Sequence, residues 1–222
     1  MRGLLLVTVL ALALGGCVKP RSVVQPVGTA PAAASPAPSV SLYVFPGRVY
    51  AAAEPFCAVL PIEAFTPGIY SGPPTLRDYK LSVNRANGHT MRCGYKVETG
   101  PATGSGDIEA YSYPDAAGAN AHFDQRKQFY IGPRNYPSVR EELPGLGTRA
   151  AVEYRPVTRS TNPKIRITPG RDYRLLVMDE NLVVEATILS LRPLDTEYPD
   201  SDADYRAKIH QLVRALMARL RT

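Results

Sequence analysis

The chain has 222 residues, 45% hydrophobic and 21% charged, a composition that supports a buried core and excludes wholesale disorder. Basic residues exceed acidic ones by 26 to 20, for a formal charge of +6. No apolar run reaches roughly 18 residues, which excludes a multi-span membrane protein.

Residues 1–16 read as a leader. Met1-Arg2 is a short positive start, and Gly3 to Leu14 is apolar except for Thr8. The stretch closes on small residues and is too short to span a bilayer, the pattern of a secretory signal. Its end, Leu14-Gly15-Gly16-Cys17, resembles the bacterial lipobox. That resemblance implies that Cys17 receives a diacylglyceryl thioether and becomes the mature N-terminus. Each buried CH₂ contributes roughly 0.8 kcal/mol, so two or three acyl chains hold a protein on a membrane permanently. The expected place is the outer, extracytoplasmic side of the cell membrane. There a basic surface meets anionic lipid head groups, acidic wall polymers or another envelope protein, and nucleic acid is not expected as a partner.

Residues 17–50 read as the acylated Cys followed by a tether. Pro20, Pro26, Pro31, Pro36 and Pro38 recur among Ala, Ser and Val without an aromatic residue before Tyr43. Such a segment builds no core and prefers extended conformations. Leu42 to Tyr50 is more apolar and is the first stretch expected to be ordered. The globular domain is expected over 51–222. With Cys17 acylated, Cys57 and Cys93 form an even pair, and an oxidising compartment predicts a disulfide between them. Closing a loop of roughly 37 residues contributes about 4 kcal/mol in the chain-entropy model.

Within the domain, Tyr79, Leu81 and Val83 alternate with polar residues, as do Met91, Cys93, Tyr95 and Val97. Asn87-Gly88 between them is a strong hairpin signal. The pattern predicts a hairpin over 79–98 with Cys93 on its apolar face. Gly100 to Gly106 reads as a turn-rich break, with Gly104-Ser105-Gly106 a flexible turn. A third strand is expected over 107–113. A helix is expected from an Asp115 cap to Tyr130, with Ala116, Ala119 and Phe123 inward. Residues 132–147 read as loop, interrupted by Pro133, Pro137 and Pro144. Strands follow over 149–155, 164–168, 173–178 and 182–189. Ser201 then caps a C-terminal helix whose stripe is Tyr205, Ile209, Leu212, Val213, Leu216 and Leu220. Strands in runs with helices set apart define an α+β class, an antiparallel sheet packed against two helices.

Several features together resemble a known group. They are the lipobox and Pro-rich tether, Glu54-Pro55-Phe56-Cys57, Cys93-Gly94-Tyr95, an Ala-rich helix, Gly145-Leu146-Gly147 and an amphipathic last helix. Over about residues 50–220 the chain resembles the small two-cysteine lipoproteins of unknown function common in actinobacteria. Several of those look like the PsbP-like α+β fold. The resemblance implies an envelope location and transfers no catalytic residue.

The residues carry little recognisable chemistry. His89, His122 and His210 show no zinc-ligand spacing, and no catalytic or metal residue and no cofactor is expected. His122 and Asp124 read as a solvated pair on the first helix. Gly145-Leu146-Gly147 lacks the third glycine of a dinucleotide fingerprint and reads as a tight turn entering a strand. Asp200, Asp202 and Asp204 mimic the start of a calcium loop but lack its later Gly and Glu, and they suit a helix N-terminus instead. The basic run Arg155, Arg159, Lys164, Arg166, Arg171 and Arg174 is more suggestive. Lys164 and Arg166 share one strand face and Ile165 and Ile167 the other. Arg155, Arg159, Lys164 and Arg166 are therefore the candidate anion-binding face. The expected function is a non-catalytic binding or interaction domain anchored in the envelope. The alternative is a carrier of a lipid or other apolar ligand between sheet and helix, lined by Leu182, Val184, Leu212 and Leu216.

Overall fold

Period-two alternation dominates the chain between residues 75 and 191, and it builds one large antiparallel sheet. The computed structural model describes residues 39–62, 74–84, 88–98, 103–130, 138–157, 170–192 and 201–222. The chain divides into two units, 1–36 and 37–222, and the described residues all belong to the second. In chain order the elements are β1 (Ser41–Tyr43), β2 (Ala52–Glu54), β3 (Thr75–Asn84), β4 (Gly88–Val97), β5 (Thr103–Ser112) and α1 (Ala116–Tyr130). There follow β6 (Val139–Glu142), β7 (Arg149–Val157), β8 (Gly170–Asp179), β9 (Leu182–Leu191) and α2 (Asp202–Leu220). Strands β3 to β9 form a seven-stranded sheet in the order β3-β4-β5-β9-β8-β7-β6, and β1 pairs with β2. The class is α+β, a large antiparallel sheet with two helices.

The sheet has two unlike faces. One carries Met91, Cys93, Tyr95, Ile108, Tyr173, Leu175, Val177, Val184 and Ile188, all buried in the main core. The stripe of α2 packs here, with Tyr205, Ile209, Leu212, Val213, Leu216 and Leu220 all buried. Ser201 starts that helix with a reciprocal capping box to Asp204. Asp202 is held by Arg171 Nε at 2.7 Å and by the Tyr154 hydroxyl at 2.7 Å, so these acids serve the helix start. The segment 50–60 completes the same layer. Ala51, Ala52 and Ala53 are fully buried, and their small side chains let the backbone lie against the sheet. Cys57 and Cys93 are joined by the expected disulfide, with a Cα–Cα distance of 5.2 Å. Two side-chain bonds seat this segment on β3, Cys57 N–H to Asp78 at 3.3 Å and Leu81 N–H to Glu54 at 3.3 Å.

Among the described residues, the other face is covered only in part, by α1. A smaller core of Ala119, Phe123, Ala151, Leu176, Met178 and Val183 lies under α1. Asp115 accepts the Gly118 N–H at 2.7 Å, the expected N-cap.

Four readings are corrected. Tyr79 does not share a face with Leu81. The register shifts between Tyr79 and Ser82, and this extra residue turns Tyr79 toward Arg92 on the opposite face. Gly104-Ser105-Gly106 is not a turn; it begins β5. Gly106 is small for a packing reason. A Cβ there would meet Thr187 O at 2.3 Å and the Tyr95 ring at 2.7 Å. The segment expected as loop over 132–147 contains β6, a four-residue edge strand whose charged sequence hides its period. It is secured by Arg140 to Glu153 at 3.0 Å and Arg206 to Glu141 at 3.1 Å. The fourth correction concerns His122, described below.

The turn residues agree with their sequence. Gly88 has φ +100°, and a Cβ would sit 2.5 Å from Ser112 O. Gly145 and Gly147 flank buried Leu146 in the turn before β7, both at positive φ. A strand over 164–168 lies outside the described residues.

Candidate functional site

The polar side chains that the sheet pattern forces onto the α1 face meet in one row across the strands. Register places Tyr79, Arg92, Glu109, Glu185, Leu176 and Ala151 side by side from β3 to β7. The inner end of the row is apolar under α1, and the outer end is polar. Glu109 and Glu185 are direct cross-strand neighbours, an arrangement of like charges that is unfavourable unless each is paired.

Helix α1 supplies the pairing for Glu185, which is only 4% exposed. Arg126 approaches bidentately, Nε to Oε1 at 2.6 Å and Nη2 to Oε2 at 2.5 Å. His122, one helical turn earlier, places Nε2 2.9 Å from the same Oε1. The other ring nitrogen, Nδ1, is bonded to the Tyr113 hydroxyl. The Tyr111 ring lies 4.2 Å from the imidazole, centroid to centroid. His122 is therefore no member of a solvated pair. Its side chain is 14% exposed and wholly engaged, while Asp124 is exposed and bonded to Arg149 at 2.7 Å. The sequence distance of 63 residues between His122 and Glu185 hid this meeting. The only local hint was the i, i+4 spacing of His122 and Arg126 on one helix face.

The outer half of the row is half-exposed. Glu109 accepts from the Tyr111 hydroxyl and pairs with Arg92 at 3.2 Å. Arg92 also pairs with Asp107 at 3.0 Å and lies 4.6 Å above the Tyr79 ring, with Arg77 at 4.9 Å. Burial, together with the Glu185 charge, pushes the Tyr113 hydroxyl up to about 12 against the pull of Arg126. Burial raises Tyr111 further, helped by its bond to Glu109. Both tyrosines thus remain protonated donors at neutral pH. The constellation resembles an acid–base relay in composition, but its Tyr111, Tyr113, His122 and Arg126 side chains are each bonded to Glu109, Glu185 or one another within the protein. Chemically it is suited to fixing α1 on the sheet.

Beside it, a cleft of about 270 Å³ opens between α1 and the turn before β7, lined by Phe123, Glu142, Leu143, Thr148 and Arg149. Arg149 is held by Asn120 at 3.0 Å and Asp124, and its guanidinium lies 4.4 Å from the Phe123 ring.

The residues singled out by sequence fall elsewhere. Arg155 bonds to Asp172, which Arg174 approaches at 3.5 Å, and Arg171 turns to Asp202. Arg159, Lys164 and Arg166 lie outside the described residues, as does Cys17. Leu182, Val184, Leu212 and Leu216 are each 3% exposed or less, packed together in the main core. Among the described residues, no group of three His, Cys, Asp or Glu side chains is placed to hold a metal ion. No helix among them is long and apolar enough to cross a membrane.

No family model matches the sequence, and no curated protein matches it. Among solved structures the chain is similar to the extracellular domain of PknH from Mycobacterium tuberculosis. Identity is 14% and the TM-score 0.40, with 76% of this chain and 99% of that chain covered. Similarity at this level carries no argument about function.

Proposed function

We propose that this chain is a lipid-anchored cell-envelope protein, held through Cys17, whose domain is a non-catalytic binding module on the outer side of the membrane. The observation that carries the reading is the Cys57–Cys93 disulfide inside the domain core, a bond kept in oxidising compartments and rare in the cytosol. It agrees with the leader 1–16, the lipobox cysteine and the Pro-rich tether. The likeness to the small two-cysteine lipoproteins of actinobacteria carries the same implication. The saturated bonding of His122 and Glu185 supports a structural rather than a catalytic role for the most elaborate polar cluster. The partner is an anionic envelope component or another envelope protein, met by the basic segment containing Arg155, Arg159, Lys164 and Arg166.

The anchoring is tested by intact mass of the protein from native membranes. A polypeptide starting at Cys17 and carrying acyl mass is expected, and Cys17→Ala abolishes both. An unprocessed chain free of acyl mass in the cytosol overturns the reading. The contact is tested by the charge reversals Lys164→Glu and Arg166→Glu. Loss of retention on wall material or native partners is expected, and unchanged retention removes this segment from the contact.

A further inference from the structure

Two of the chain's three histidines have hydrogen-bond partners. His122 is bonded to Tyr113 and Glu185, and His210 to Tyr173. His89, on β4, differs from both. It is 6% exposed, and its Nδ1 is buried without a hydrogen-bond partner among the described residues. Native structures hold few such groups, and each has a physical reason.

The imidazole is covered by the stretch that runs through β1. The Phe45 ring lies parallel to it, at 9° and 4.5 Å between centroids, and the Tyr43 ring meets it edge-on at 6.2 Å. This cover is lightly held. Strand β1 has three residues, paired with β2 from Ser41 opposite Glu54 to Tyr43 opposite Ala52. Residues 39–48 are exposed except for Phe45, which is partly buried. The Tyr43 hydroxyl adds one bond, to Glu54 at 3.2 Å. A segment with few buried apolar contacts belongs to the low-stability end of a fold.

Closure of this cover and protonation of His89 oppose each other. Under the closed cover an imidazolium would hold a buried Nδ1–H that meets neither water nor an acceptor among the described residues. The titratable groups on the neighbouring described elements are Tyr43 on β1 and Glu54 on β2, and Glu54 is engaged by the Tyr43 hydroxyl and the Leu81 N–H. The register neighbours Val83 on β3 and Ser112 on β5 are uncharged. The Phe45 face attracts a cation weakly, which does not offset the cost of a buried, unhydrated charge. Burial accordingly holds His89 below its usual 6.5. With the cover lifted, water reaches the ring and its ordinary proton affinity returns. The closed form is therefore fully favoured above about pH 6.5 and loses ground as pH falls toward the folded value.

We propose that residues 41–45 form an acid-released latch, held shut by Phe45 and Tyr43 packing on neutral His89 and opened when that imidazole takes up a proton. The rest of the domain stays folded, and opening uncovers the end of the β3–β4 hairpin where Val83 and His89 stand opposite one another. The latch is internal to the domain and does not depend on lipid attachment.

Amide hydrogen exchange of the full chain, corrected for the intrinsic effect of pH, tests the latch. Between about pH 7.5 and about pH 5.5, opening at residues 41–45 is expected to rise by up to roughly tenfold per pH unit, while the central strand β9 keeps its protection. In His89→Gln the rise is expected to vanish. A flat profile in the wild type, a rise that survives in His89→Gln, or a matching loss of protection in β9 overturns the proposal. If His89→Gln does not fold, Phe45→Ala takes its place, with the His89 ring titrated by NMR in both chains. A midpoint that moves up toward 6.5 in Phe45→Ala supports the latch, and an unmoved midpoint overturns it.

Discussion

Glu109 and Glu185 stand directly opposite one another across the β5–β9 pair, and the protein resolves their repulsion from two sides. Arg92 and Tyr111 serve Glu109 from the sheet, while Arg126 and His122 serve Glu185 from the helix. This one relationship links the outer strands, the sheet centre and α1.

Removing Arg126 takes its two bonds away from the buried Glu185 carboxylate, which stands beside another acid. Arg126→Met is expected to destabilise the domain by about 3 kcal/mol, near the lower bound for breaking a buried pair. Adding Glu185→Leu to that variant recovers most of the loss, because no unpaired charge is left behind. Urea unfolding midpoints of the two single variants and the double variant check the cycle.

Asn181 grips the backbone at Tyr50. Its Oδ1 accepts from Tyr50 N–H at 3.0 Å, and its Nδ2 donates to the carbonyls of Tyr50 and Tyr113, each at 3.1 Å. Asn181→Ala strands these buried groups and is expected to cost about 3 kcal/mol, at roughly 1–3 kcal/mol for each unsatisfied group. Asn181→Asp keeps the acceptor and loses the donor, so it is expected to fare no better. Thermal unfolding at one fixed pH measures both.

Two histidines make stability fall on mild acidification. Burial alone holds His89 below its usual 6.5. Burial, then Arg214 and Arg206, hold His210 down, with Glu141 opposing them. A lowered folded value means that the unfolded chain binds the proton first. Stability is therefore complete above about pH 6.5 and declines as pH drops toward the folded values, by at most about 1.4 kcal/mol per pH unit for each histidine. His89→Gln is expected to flatten the decline between pH 7 and 5.5. An unchanged slope in urea midpoints across that range refutes the assignment.

Gly106 and Gly145 are both intolerant of Ala, for different reasons. At Gly106 the added methyl collides with Thr187 O and the buried Tyr95 ring, so about 2–3 kcal/mol is expected from overpacking. At Gly145 nothing lies within 4 Å, but φ is +79°, so only about 1 kcal/mol of backbone strain is expected. Denaturant midpoints that rank the two variants in the reverse order contradict this account.

Legibility in the sequence followed the range of each interaction. The α2 stripe, the Ser201 cap and the β4 and β9 alternation are local periodicities, and the structure repeats them. The disulfide was legible because two cysteines remained after Cys17 was set aside. What failed was non-local. Strand β6 has only four residues, three of them charged, and its pairing partners lie on β7 and α2. The displacement of Tyr79 needed knowledge of one extra residue opposite β4. Gly106 reads as a turn residue until Tyr95 is seen packed across it. The His122–Glu185–Arg126 contact requires α1 to be docked before any pattern exists.

The segment 49–51 is clasped by 220–222. Ala51 N–H bonds to Leu220 O at 2.9 Å, and Thr222 N–H bonds to Val49 O at 2.9 Å. These segments are strangers in sequence, so their clasp closes a loop running from residue 49 to residue 222, and the entropy of closing it places this contact among the last to form.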